Sequence, residues 1–204
     1  RHLAPGESCD ILWIVGEAGY VRRNQRTLRA FARLLKVAGV DVAVLGRDEA
    51  DCGDLAKRLG EEHVASILAD DLRAALDRRR FARIVTTDPH VMNSLRNDYP
   101  LLGARYVVLH HTELLAELID SGLLQVTGRI KSSVAYHDPC YLGRWNGQFE
   151  APRAILAAIA PDLRDMERSR EKARCCGGGG GAPLADVPGK ARIPDQRIDD
   201  VRAT

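Results

Sequence analysis

Short apolar runs alternate along this chain with longer stretches in which apolar residues recur every three to four positions. Ile11–Val15 (ILWIV) is a continuous apolar run and predicts a buried strand. Thr27–Ala38 repeats apolar residues at helical spacing, and Gly39 stops it. Val42–Leu45 predicts a second strand, closed by Gly46. Asp54 is expected to cap a helix through Leu59, with another helix near Glu61–Arg79. Arg83–Thr86 predicts a third strand, and Pro89 suits a helix start with His90–Asn97 following. Tyr106–Leu109 predicts a fourth strand and Thr112–Ser121 a helix capped near His111 or Thr112. A fifth strand is expected at Val134–His137, a helix at Ala151–Ala160 and a sixth strand at Leu163–Met166. This alternation predicts an α/β fold with largely parallel sheets. From Cys175 onward Gly and Pro dominate, and the tail is expected to be loop.

The two halves also echo one another. Arg29-Ala30 and Asp51-Cys52-Gly53 fall on Arg153-Ala154 and Cys175-Cys176-Gly177 at an offset of 124, and Glu17 falls on Cys140 at an offset of 123. The pattern predicts two tandem Rossmann-like parallel-sheet units, 1–126 and 127–204, the second incomplete at its C-terminus.

Composition narrows the function. With 45% apolar and 28% charged residues the chain is globular in character. Lys and Arg number 30 against 28 Asp and Glu, so no basic field is available to hold a nucleic acid. No apolar run approaches the roughly 18 residues of a membrane span, and the first residues lack a signal core. A cytoplasmic location is the expectation. The five cysteines, Cys9, Cys52, Cys140, Cys175 and Cys176, are odd in number and include an adjacent pair, a poor disulfide framework. In a reducing compartment such thiols more often hold metal or do redox chemistry.

The second half concentrates the chemistry. Cys140 follows a strand end, where ligands of parallel sheets are expected, and Cys175 and Cys176 precede the run Gly177–Gly181. Thiolates suit iron–sulfur clusters and zinc. Gly177, Gly178 and Gly179 would let the backbone approach an inorganic core and aim N–H groups at sulfur. Three thiols are fewer than the usual four, so a further ligand is expected elsewhere. The glycine run has no Lys-Ser/Thr ending and no helix directly after it, which argues against a phosphate loop. In the first half, Glu17, Asp51 and Asp88 could gather a hard cation, or be solvated acids around an empty site; the second is favoured. His90, His110, His111 and His137 lie near strand ends and could ligate metal or hydrogen-bond loops. Cys52 is expected to be a buried vestigial thiol and Cys9 incidental. Arg22, Arg23 and Arg26 are expected on a solvated helix start, and Trp13 and Trp145 either wall the two sites or fill core.

HDPCYLGR (His137–Arg144) followed by RCCGGGGG (Arg174–Gly181) resembles the cysteine-rich "CCG" domain of heterodisulfide reductases and related iron–sulfur oxidoreductases. IVTTDPHVMNSLRNDYP (Ile84–Pro100) and VVLHHTELLAELIDSG (Val107–Gly122) resemble family segments too, so the likeness covers nearly the whole chain. The resemblance implies an α/β domain carrying one Cys, then Cys-Cys-Gly, then Cys-x-x-Cys, usually twice. The resemblance also implies that those five thiols can hold a non-cubane four-iron cluster or, in some copies, zinc. On that pattern the first copy has Glu17, Asp51-Cys52 and Asp88-Pro89-His90-Val91, and keeps only Cys52. The second keeps Cys140, Cys175 and Cys176 as metal ligands, while the offset puts its last two thiols near 212 and 215, past Thr204. The resemblance implies an electron-transfer module with a [4Fe–4S] cluster. It would work between a flavoprotein or thiol partner and a quinone or disulfide acceptor, and could join a membrane through its complex. The first copy would be scaffold and docking surface. The alternative is a structural zinc-binding module, using His137 or water as the missing ligand, or a metal-free interaction module. A thiol–disulfide enzyme using Cys175-Cys176 is weaker, because a vicinal bridge is strained.

Overall fold

The computed structural model describes residues 1–182 and 189–204. It divides into two compact units, Arg1–Gln125 and Val126–Thr204.

The first unit is built on four parallel strands, β1 (Ser8–Ile14), β2 (Val42–Val44), β3 (Arg80–Thr86) and β4 (Val108–His110), in the order β2-β1-β3-β4. Leu12 sits opposite both Ala43 and Ile84, and Ile84 opposite Val108. β1 and β3 are therefore interior strands; their C-terminal halves, Ile11–Ile14 and Ile84–Thr86, are buried on both faces, while their first residues still alternate between exposed and covered. Leu12, Ile14, Ile84 and Val85 are buried. Helix α1 (Gln25–Val37) buries Leu28, Phe31 and Leu35 on one stripe, and Trp13 meets Phe31 edge to face at 5.1 Å. Trp13 is thus core. Helices α2 (Asp54–Arg58), α3 (Glu62–Asp77), α4 (Pro89–Asn93) and α5 (His111–Asp120) complete the unit.

Several boundaries differ from expectation for identifiable reasons. β1 starts at Ser8 rather than the expected Ile11, so Cys9 is a buried strand residue. Asp54 does not cap α2. Gly53 takes the cap position at φ 84°, a left-handed conformation, and a Cβ there would stand 2.7 Å from the Ala65 carbonyl oxygen. Asp54 is instead buried and serves as an ion-pair partner. α5 starts one residue early because the Glu113 carboxylate accepts the His110 N–H at 2.8 Å. After Pro89 the α-helical turn ends at Asn93 and widens into a π turn at Ser94–Asp98.

The second unit holds two parallel strands, β5 (Val134–Tyr136) and β6 (Leu163–Asp165), with α6 (Glu150–Ile159) between them in sequence. The expectation that the whole tail is loop is wrong. Ile193–Arg202 forms helix α7, while residues 183–188 lie outside the described part. Averaging Gly and Pro across the tail conceals it. Pro194 in the first turn presets a helical φ, and Arg197–Asp200 (3.1 Å) and Arg202–Asp199 (3.2 Å) pair one turn apart.

The second unit buries an ion pair alongside a few apolar side chains such as Leu142 and Met166. Asp138, 2% exposed, accepts from Arg153 at both carboxylate oxygens (2.6 and 2.9 Å) and from the Arg170 N–H (2.8 Å). Asp138→Ala leaves Arg153 short of its main partner and is expected to cost about 3 kcal/mol. Urea unfolding followed by Trp145 emission checks this, and an unchanged midpoint would show that the pair does not hold the unit together.

Candidate functional site

The loop after β5 presents the first cysteine. Asp138 is fixed by Arg153 and the Arg170 N–H, and the turn closes with Gly143 N–H donating to the Pro139 carbonyl (2.9 Å) and Trp145 N–H to the Cys140 carbonyl (3.1 Å). The half-buried Cys140 sulfur accepts from Arg144 Nη2 at 2.8 Å. Nη1 of the same guanidinium donates to the carbonyls of Ala173 (2.6 Å) and Glu171 (3.1 Å). Trp145 is largely exposed and stacks on Tyr141 with centroids 6.2 Å apart, so it does not fill core.

Cys175 and Cys176 are exposed. The Gly177 N–H donates to the Cys175 sulfur at 3.3 Å and the Gly178 N–H to the Cys176 sulfur at 3.4 Å. Gly179 gives its carbonyl to the Ala182 N–H at 3.2 Å. Gly177 stands at φ 76°, where a Cβ would meet Pro194 Cδ at 2.8 Å, so α7 packs directly on this loop. Among the described residues no three His, Cys, Asp or Glu side chains gather into a metal-holding group. Arg144 brings the Cys140 sulfur and the segment leading to Cys175 into one neighbourhood without closing a cage.

α7 also fixes His137. Arg197 Nε lies 2.9 Å from His137 Nδ1, and its Nη1 reaches the Arg168 carbonyl and Asp200 (both 3.1 Å). A guanidinium only donates, so Nδ1 must accept. Burial, helped by the Arg197 charge, lowers the His137 pKa, and the neutral ring carries its proton on Nε2. Among the described residues, neither the buried Nε2 nor Arg197 Nη2 has a hydrogen-bond partner. Metal-ligating histidines donate their second nitrogen to an acceptor. His137 faces a donor there, so in this structure it takes the second of its two alternatives and hydrogen-bonds a neighbouring element, here α7 through Arg197. Arg197 and α7 escape a sequence reading because they lie in the glycine- and proline-rich tail; Pro194 is the available signal.

In the first unit the acids lie close together. Glu17 is raised above the usual carboxylate range, first by desolvation, then by the charge and hydrogen bond of Asp51 and the charge of Asp88. Asp88 caps α4 through the His90 N–H (2.8 Å). His90 Nδ1 lies 2.7 Å from Asp54 Oδ2, and Arg58 meets Asp54 at 3.2 Å. Burial pushes Asp54 up, but the hydrogen bond and charge of His90, with Arg58, outweigh it and hold it low. The Asp54 hydrogen bond, against burial, raises His90. Burial pushes the Cys52 thiol up to about 12, so it stays protonated. Glu49, unmarked by any motif, accepts the Val15 and Gly16 N–H groups at 3.2 and 2.7 Å at the end of β1. Burial lowers His110 to about 3 and His111 to about 4. His110 bonds Thr112 (2.7 Å) and His111 (3.1 Å), the loop-bonding alternative for these two. Arg22, Arg23 and Arg26 are exposed or nearly so.

A family model described as the cysteine-rich domain (CCG) matches residues 14–96 and 134–204. Curated relatives include a probable membrane-anchored ferredoxin of Chromohalobacter salexigens, 49% identical over 99% of this chain and 31% of the relative. The EtfAB:quinone oxidoreductase of Syntrophomonas wolfei is 37% identical over 88% of this chain and 26% of the relative. One component of the dihydromethanophenazine:CoB–CoM heterodisulfide reductase of Methanosarcina barkeri is 35% identical over 93% of this chain and 49% of the relative. The chain therefore spans less than half the length of each. No solved structure matches it. No helix among the described residues is long and apolar enough to cross a membrane.

The Asp54–His90 pair carries a pH signature. Asp54 is depressed, so its contribution is present above about pH 4 and lost as pH falls through its folded value. His90 is raised, so its contribution is complete below about pH 6.5 and lost as pH rises through its folded value. Asp54→Asn is expected to cost about 1–2 kcal/mol near pH 5.5 and less near pH 9, because hydrogen bonds to charged groups are the stronger ones. Urea unfolding at both pH values measures it; equal losses would dismiss the pair as the cause. Nitrogen-15 NMR of the imidazoles is expected to show His137 as the neutral Nε2–H tautomer at neutral pH. A proton on Nδ1 would overturn the Arg197 assignment.

Proposed function

This chain belongs to the cysteine-rich domain family, and from that premise we propose that it is the iron–sulfur electron-transfer module of a larger oxidoreductase. Cys140, Cys175 and Cys176 would be ligands of a [4Fe–4S] cluster, cubane or non-cubane, completed by ligands outside residues 1–204. The observation that carries this reading is the pair of glycine N–H groups turned onto the two adjacent sulfurs. Amide donors at sulfur stabilise the thiolate form, which is the form that ligates iron, and tune the potential of a cluster.

The donor set fits such a group in kind and falls short of it in number. Three free thiols, two with amide donors, lie in the same unit as the buried, unpartnered Nε2–H of His137, a group suited to a sulfide or thiolate acceptor. When bound, the cluster supplies a one-electron relay. The protein's part is to hold Cys140 at the end of β5 through Asp138, to keep the cysteine pair on a loop braced by Pro194, and to leave that pair accessible.

Two finer points belong to the same reading. Gly53 and Gly177, 124 positions apart, each follow a cysteine and each take a left-handed φ, 84° and 76°. That supports tandem copies of one ancestral unit, the first at 1–126 kept as scaffold and docking surface and the second at 127–204. The relatives' names support partners of two kinds, a flavoprotein or other redox protein on the donor side and a quinone or disulfide on the acceptor side. The place of action would be cytoplasmic, with membrane association through the complex, in line with the membrane-anchored relative.

Anaerobic preparation of the full-length protein tests this. The expected result is about four irons and a matching amount of sulfide at this site, with a redox-active EPR signal. Cys140→Ser is expected to lower that iron at least severalfold. Stoichiometric zinc without colour, or iron unaffected by Cys140→Ser, would overturn the assignment.

A further inference from the structure

We propose that Arg144 is the positioning residue of the Cys140 ligand. Its guanidinium grips the Cys140 sulfur and the backbone leading to Cys175 at once, and supplies the positive charge an anionic thiolate-ligated centre needs. This inference rests on the function proposed above.

The grip is visible in the fork. One terminal nitrogen is 2.8 Å from the Cys140 sulfur, and the other reaches the carbonyls of Ala173 and Glu171 at 2.6 and 3.1 Å. Ala173 lies 29 positions from Arg144 in sequence, so this side chain fastens two distant loops. A planar guanidinium can satisfy a sulfur and two carbonyls simultaneously; a lysine ammonium, a single point of charge on a flexible stem, cannot reproduce the fork.

The charge of Arg144 differs in its surroundings from that of several arginines in the unit. Arg153 pairs with Asp138 and Asp165, Arg170 pairs with Glu150, and Arg174 and Arg197 share Asp200. Arg144 forms no ion pair among the described residues, and directs its donors at carbonyl oxygens and at a ligand sulfur. The cation in contact with the candidate ligand is therefore also one whose charge no carboxylate among the described residues has cancelled. Several thiolates and sulfides brought together repel one another, and a fixed cation beside them favours the more negative, reduced state of the centre.

Two substitutions separate grip from charge. Arg144→Lys keeps the charge and loses the fork, while Arg144→Gln loses both. In the full-length, cluster-loaded protein, redox titration followed by EPR is expected to show a more negative potential for Arg144→Gln. The expected size is about a tenfold change in the one-electron equilibrium, about 59 mV. Arg144→Lys is expected to stay near the parent value. In the metal-free protein, amide hydrogen exchange across residues 171–176 is expected to speed up severalfold in both variants. Should Arg144→Gln hold too little cluster for titration, retention of cluster by Arg144→Lys supports the charge role and its equal loss refutes it. Equal potentials in all three proteins would overturn the charge role, and unchanged exchange would overturn the grip. A parent protein that takes up no iron, with exchange still responding to both variants, would sink the cluster reading while leaving the grip standing.

Discussion

The second unit hangs on one buried carboxylate. Asp138 follows the end of β5 and takes two hydrogen bonds from Arg153 on α6 and one from the backbone at Arg170. Arg153 in turn reaches Asp165 on β6 at 2.7 Å, the Phe149 carbonyl at 3.2 Å, and lies 5.3 Å from the centroid of the Tyr136 ring. A strand end, a helix, the neighbouring strand and the loop toward the cysteine pair thus meet at a single pair of side chains. Burying two charges is costly, and an apolar substitute of the same shape often serves stability equally well. The pair specifies direction, however. A bidentate fork fixes the angle at which the Asp138 backbone leaves the strand, and that angle sets where Cys140 begins.

The first unit solves the same folding problem by different means. Its interior strands are apolar on both faces, and the helices that cover them offer Leu, Ala and Phe stripes. Removal of that apolar surface from water drives the assembly without needing a particular side-chain angle. The second unit has two three-residue strands and little apolar surface to share between them. Arginines do the joining there: Arg144 to 171–173, Arg153 to Asp138, Arg174 to Asp200 on α7, and Arg197 from α7 to His137. Small parallel sheets cannot bury enough area to stand alone, so directed polar contacts carry what a core would otherwise supply.

This contrast explains what can be read from the amino-acid order. The apolar run Ile11–Val15 announces β1, because the buried half of an interior parallel strand has no polar face to confuse the pattern, and the buried β-branched pair Ile84-Val85 marks β3. The cysteines, the glycine run and the loop after β5 are equally legible, since thiol chemistry restricts which residues can serve. The arginine ties are not. Arg144 stands inside the HDPCYLGR motif, yet nothing in its spacing says that its fork meets a carbonyl 29 positions away. Asp54 looks like a cap because its residue type favours caps; the Gly53 conformation and the His90 contact, both tertiary, decide otherwise. α7 is lost for a simpler reason, since Gly and Pro counted over a whole tail conceal ten residues that obey helical pairing.

The acids of the first unit show why its chemistry differs from that of the second. Carboxylates at Glu17, Asp51 and Asp88 repel, and the unit answers by raising Glu17 above its usual range and by setting His90, itself raised, between Asp88 and Asp54. Such a cluster offers hard oxygen donors that are already engaged with one another or with backbone N–H groups. Its remaining sulfur near the acids, Cys52, is buried and held as the thiol, so it cannot supply a soft anionic ligand at neutral pH. In the second unit the reverse holds: the adjacent sulfurs are exposed, amide N–H groups point at them, and a cation with no carboxylate partner among the described residues touches the third. The accessible sulfurs with N–H donors lie in the second unit and the buried thiol of Cys52 in the first, so the two units differ in what their cysteines can reach.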